Sequence, residues 1–145
     1  MRKIFTIIAA VMLLASVVSA QTELGVRFGD ATGGNVAVDG IISIASWSRI
    51  HADVSFGNSG VGVDLLWDFI YQPLGGEAFK WYAGVGPFLD IQDPFGLGVV
   101  GELGLDYHFN QVPISISADW RPSFKIIENT DFQAGGFGLN IRYVF

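Results

Sequence analysis

Two histidines and a set of carboxylates are the residues of this chain best suited to do chemistry. His51 stands two positions before Asp53, and His108 two positions after Asp106. In an extended chain such i, i+2 neighbours share a face, because successive side chains alternate. A histidine beside a carboxylate is part of a nucleophile, base and orienting-group constellation, and equally part of a metal site. No serine elbow accompanies either pair, and no metal-ligand spacing joins them. The expectation is therefore two satisfied interior histidines, with no catalytic residue, metal or cofactor. The chain has no cysteine, which removes disulfides and thiolate ligands.

The elements that carry these residues read as strands. The last run alternates: Phe137, Leu139, Ile141, Tyr143 and Phe145 on one face, Gly138, Asn140, Arg142 and Val144 on the other. The same alternation recurs in up to eight segments, predicted at 22–29, 35–44, 49–56, 61–72, 79–90, 97–109, 112–123 and 132–145. Most are near the roughly 9–11 residues that a tilted membrane-spanning strand needs. Turn signals separate them, such as Asp30-Ala-Thr-Gly-Gly, Gly57-Asn-Ser-Gly and Asp93-Pro-Phe-Gly. Ser46-Trp47-Ser48 is the weakest of these signals. In segment four, Val61, Val63, Leu65, Trp67, Phe69 and Tyr71 oppose Gly62, Asp64, Asp68 and Gln72. In segment six, Leu103, Leu105 and Tyr107 oppose Glu102, Gly104, Asp106 and His108.

A soluble barrel would bury the apolar face. The aromatics argue for the opposite arrangement. Trp47, Phe69, Tyr71, Phe79, Trp81, Tyr107, Phe109, Tyr143 and Phe145 gather at one end of their segments, which an up-and-down topology places at one rim. Aromatic rings collect at a membrane–water interface, whereas a soluble core would scatter them. The fold expected is all-β, an eight-stranded antiparallel up-and-down transmembrane barrel over residues 21–145, with the charged face inside. The interior network then contains Arg27, Asp53, Asp64, Asp68, Lys80, Glu102, Asp106, Asp119, Arg121 and Arg142, with Arg49, Asp39 and Asp90 on the same parity. Inward glycines such as Gly104 and Gly138 leave room for long side chains to cross the lumen. Eight strands leave an interior that side chains just fill, so a plug of ion pairs is favoured over a bore. Two features interrupt the pattern. Pro87 would end or bulge segment five, and Phe132 and Ala134 fall out of phase with Phe137 unless the chain bulges at Gly135-Gly136.

The N-terminus reads as a secretory leader. Arg2-Lys3 precede an apolar run from Ile4 to Val18, and Ser19-Ala20 end it. Cleavage is expected after Ala20, making residues 1–20 a signal peptide. Removing Arg2 and Lys3 leaves six basic residues against fourteen acidic ones, a formal charge of −8. That balance argues against nucleic acid as a partner. The predicted outer loops, near 30–34, 57–60, 91–96 and 124–131, are short. They offer little surface to a protein partner, and a monomer is expected.

Several stretches resemble a known group. Phe79-Lys-Trp-Tyr-Ala-Gly-Val-Gly, Phe95-Gly-Leu-Gly-Val-Val-Gly-Glu-Leu-Gly-Leu-Asp-Tyr-His-Phe, Pro113-Ile-Ser-Ile-Ser-Ala-Asp-Trp-Arg-Pro-Ser-Phe and the terminal Arg142-Tyr-Val-Phe are similar to the small porin-like outer-membrane β-barrels of Gram-negative bacteria. In size the chain resembles barrels of the OmpA/OmpX type. The resemblance implies location in the outer membrane, contact with its lipid, and insertion by the barrel-assembly machinery. Tyr143 and Phe145 look like the signal which that machinery reads. It implies no enzymatic activity. The role expected is structural or of an unassigned interaction type, with a narrow channel or polar-ligand barrel second and a lipid-modifying enzyme third.

Overall fold

A computed structural model describes residues 21–58, 60–76, 78–127 and 129–145. The leader expected at residues 1–20 lies outside the described residues. The strands are β1 (Thr22–Ala31), β2 (Gly34–Ala45), β3 (Ser48–Phe56), β4 (Val61–Pro73), β5 (Phe79–Ile91), β6 (Gly96–His108), β7 (Ile114–Trp120), β8 (Ser123–Ile127), β9 (Asp131–Gln133) and β10 (Phe137–Val144). Each of β1 to β6 pairs antiparallel with its successor. β7 and β8 lie end to end against β6 as one stave, and β9 and β10 form the last. β10 returns to β1, with Glu23 opposite Val144 and Gly29 opposite Gly138. The result is a closed, eight-stranded antiparallel barrel.

The strands form where the sequence alternates, and closure holds their register. A slip of one residue would turn every charged side chain outward. The second turn does fall at Ser46-Trp47, between Ala45 and Ser48.

Four local details differ from the simple pattern. In β4 the register with β5 shifts between Asp68 and Ile70. One extra residue reverses the parity beyond it. Tyr71, expected on the outer face, is therefore buried inside, and Gln72, expected inside, is exposed. β5 does not stop at Gly86 or bulge there. It passes through Pro87 opposite Val99, and only the β4 ladder lapses, between Asp64↔Phe88 and Trp67↔Val85, before resuming in the same register. The seventh stave does not end at residue 123, because β8 carries it to Ile127 and makes strand of Lys125-Ile126-Ile127. The last stave breaks between Gln133 and Phe137, and Gly136 there has φ +105°. Glycine adopts that conformation without the cost a Cβ would bring.

The distribution of side chains is inverted relative to a protein that folds around an oily centre. Arg27, Arg49, His51 and Arg142 are among the most buried side chains. The large apolar residues are mostly outside: Phe28, Val38, Leu65, Trp67, Leu103, Leu105, Ile116, Leu139 and Ile141 are all exposed. At the end where the termini lie, outward rings stack in a partial girdle. Phe79 and Tyr107 lie 4.8 Å apart, Tyr107 and Phe109 4.9 Å, and Tyr143 and Phe145 5.0 Å.

Candidate functional site

The chemistry of the molecule is inside the barrel. The inward parity of each strand delivers one or more charged groups to the lumen, and their reach makes a continuous network. Arg142 on β10 donates from Nε to Asp39 on β2 at 2.5 Å. Asp39 also meets His51 Nε2 at 2.6 Å, while His51 Nδ1 meets Glu102 at 2.9 Å. Arg121 donates from Nε to Glu102 at 3.0 Å and from Nη1 to Asp53. Asp64 and Asp119 lie 3.6 and 3.5 Å from the same guanidinium. Arg27 pairs with Asp119 at 2.5 Å, and Asn140 ties that carboxylate to Ser117. Arg49 pairs with Asp68 at 2.6 Å and Asp106 at 3.1 Å, sandwiched between the rings of Tyr71 and Tyr82 at 4.1 and 4.3 Å.

Small residues give these side chains their space. The guanidinium of Arg27 lies over Gly138, and the ring of Tyr82 over Gly104, where a Cβ would collide with each. The lumen is thus filled by crossing side chains, as the narrow interior of eight strands demands.

Of the ten residues expected in the network, nine are buried and joined: Arg27, Asp53, Asp64, Asp68, Glu102, Asp106, Asp119, Arg121 and Arg142. Lys80 is the exception. It keeps the inward parity but has no ion pair among the described residues, and its Nζ sits 4.8 Å from the Tyr71 ring centroid. Its ladder partner on β6 is Asp106, whose Oδ2 is held by Arg49, and the bulge in β4 brings the Tyr71 ring to Lys80. Tyr143 and Phe145 lie on the outside, and the Phe145 amide donates to the Thr22 carbonyl at 2.9 Å.

The sequence reading missed four kinds of partner. Glu23 shares the parity of Arg27, and its carboxylate accepts from Ser115 at 2.8 Å. Tyr82 carries the parity of Lys80, and its hydroxyl donates to Asp119 at 3.2 Å. Tyr71 could be placed only by knowing the bulge. Leu66, Phe88 and Val100 form a small apolar cluster inside, although their even numbering matched the charged residues around them. Both histidines face inward as expected. His51 is fully buried at the hub of the network.

Among the described residues, nine buried carboxylates outnumber four buried arginines. The Oδ1 atoms of Asp53, Asp68, Asp90 and Asp106 have no hydrogen-bond partner there. At the end opposite the termini a cavity of about 580 Å³ opens above the network. Arg121, Asp64, Asp90, Phe88 and Val100 are in its wall, with Lys125 and Asp131 nearer the β8–β9 hairpin. Neither histidine has a serine hydroxyl as partner among the described residues.

Comparison with protein families, with curated proteins and with solved structures returned no match.

Proposed function

We propose that this chain is an integral outer-membrane β-barrel of the small porin-like kind, delivered by a cleaved leader and inserted by the barrel-assembly machinery. One observation carries the reading: charge is buried and large apolar side chains are exposed around the whole barrel. A contiguous apolar surface of that extent is costly in water and favourable in lipid. Closure supports it too, because a barrel leaves no unpaired edge for hydrocarbon to face. The interior serves as a polar core that fixes the shape of the barrel. The role is structural or of an unassigned interaction type, as a monomer in contact with the outer-membrane lipid and without enzymatic chemistry. Carbonate washing of membranes from cells expressing the chain is the test. The protein should stay in a pellet of outer-membrane density, and release into the supernatant would end the reading.

The second reading is a polar-ligand barrel, and the cavity that ends on Arg121 favours it over a channel. The buried network below that cavity blocks a continuous path. Planar bilayers holding the purified protein should show no sustained unitary conductance. Steady ion-selective steps would favour the channel instead.

A further inference from the structure

We propose that Glu23, Asp106, His108 and Tyr71 form a binding site for a divalent transition metal ion, with Zn²⁺ preferred, at the end of the barrel that carries the termini. His108 Nε2 lies 3.1 Å from Asp106 Oδ2, 3.2 Å from the Tyr71 hydroxyl and 3.4 Å from Glu23 Oε1. The Tyr71 hydroxyl is itself 3.2 Å from Asp106 Oδ2. Zinc bonds of about 2.0–2.1 Å to nitrogen and oxygen make a tetrahedron with edges of about 3.3–3.4 Å. Four separations of the set thus fall within a few tenths of an ångström of tetrahedral edges. A neutral imidazole has one N–H at most to offer through Nε2, and three oxygens surround that nitrogen. A cation at the centre would satisfy all of them together.

Charge and access select this cluster over the others. Two further groupings, Asp39 with His51 and Asp53, and His51 with Asp68 and Glu102, also bring donor atoms close. Both depend on His51, which is fully buried and faced by Arg121 at 3.2 Å and Arg142 at 3.4 Å. Those guanidinium groups already hold the place a cation would take. No arginine lies within hydrogen-bond distance of His108, whose side chain is 18 % exposed. Arg49 does share Asp106 Oδ2 at 3.1 Å. Arg142 Nη1 stands further off, 4.0 Å from Asp106 Oδ1 and 3.9 Å from Glu23 Oε2, and that Oδ1 has no hydrogen-bond partner. An imidazole with two carboxylates suits zinc or manganese, whereas calcium and magnesium prefer all-oxygen shells.

The test is zinc titration of the full mature protein, refolded in detergent without a polyhistidine tag, against a chromogenic chelator in metal-free buffer. One Zn²⁺ per chain should bind, and Ca²⁺ or Mg²⁺ in large excess should not displace it. H108Q and E23Q should each weaken binding at least about tenfold, while the heat-dependent gel shift confirms that each variant is folded. Failure of the wild type to bind, displacement by Mg²⁺, or unchanged affinity in folded H108Q would overturn the assignment. Should H108Q not fold, zinc-edge X-ray absorption of the wild type decides. One imidazole nitrogen among oxygens supports the site, and two imidazoles or none refute it.

Discussion

Asp39 is the carboxylate on which the interior depends most, and its replacement by asparagine puts the network to a quantitative test. Its two oxygens serve two different groups, Arg142 Nε at 2.5 Å and His51 Nε2 at 2.6 Å, all fully buried. The other acids near Arg142 are distant, Glu23 at 3.9 Å and Asp106 at 4.0 Å. D39N therefore leaves a buried guanidinium without a close counter-charge. Breaking such a pair costs about 3–5 kcal/mol, and the low end applies because asparagine still offers one acceptor oxygen. Asp64 is the internal control. It lies 3.6 Å from Arg121, which retains Asp53, Glu102 at 3.0 Å and Asp119 at 3.5 Å. D64N should cost no more than about 1 kcal/mol, the net worth of an ordinary hydrogen bond. Urea unfolding of both variants from liposomes, followed by tryptophan fluorescence and extrapolated linearly, gives the comparison. Equal losses, or a larger one for D64N, would refute the claim that Arg121 is shared among several acids while Arg142 leans on one.

On the outer face, L103R should cost roughly 2–4 kcal/mol because a charge at mid-depth meets hydrocarbon, whereas L74R in the turn between β4 and β5 should cost at most about 1 kcal/mol; the same liposome unfolding measures both, and equal costs would contradict the assigned depth. Deleting Phe145 should sharply lower the amount of folded, heat-modifiable protein in outer membranes. That residue caps the strand that closes on β1, where its amide meets Thr22, and normal levels in the deletion strain would count against its role in assembly.

Much of the barrel was legible because its rule is local. Alternation at Phe137–Phe145 or at Glu102–His108 fixes both the strand and its faces, and turn residues mark the ends. What escaped was set by pairing between strands. The bulge that turns Tyr71 inward depends on the register of β4 against β5, and nothing in Trp67–Gln72 announces it. Lys80 kept its expected inward parity, but its neighbour, the Tyr71 ring, came from the same bulge. The continuation of the seventh stave past Pro122 rests on partners in β6, Val99 and Val100, far away in sequence. Within the network, parity gave membership but not partners. That Arg142 meets Asp39 follows from the registers of β10 and β2 against β1, which place both residues opposite Gly25 with no side chain between them. Leu66 and Phe88 carried inward parity openly, yet an apolar residue among charges does not stand out until the small cluster they build with Val100 is seen.

The central claim is that the apolar outside of the barrel lies in lipid. Trp67 and Trp120 are 52 % and 36 % exposed on that face. In liposomes whose acyl chains carry bromine, tryptophan fluorescence of the folded protein should be strongly quenched, while aqueous acrylamide should quench it little. Strong quenching by acrylamide with no effect of the brominated chains would contradict the account.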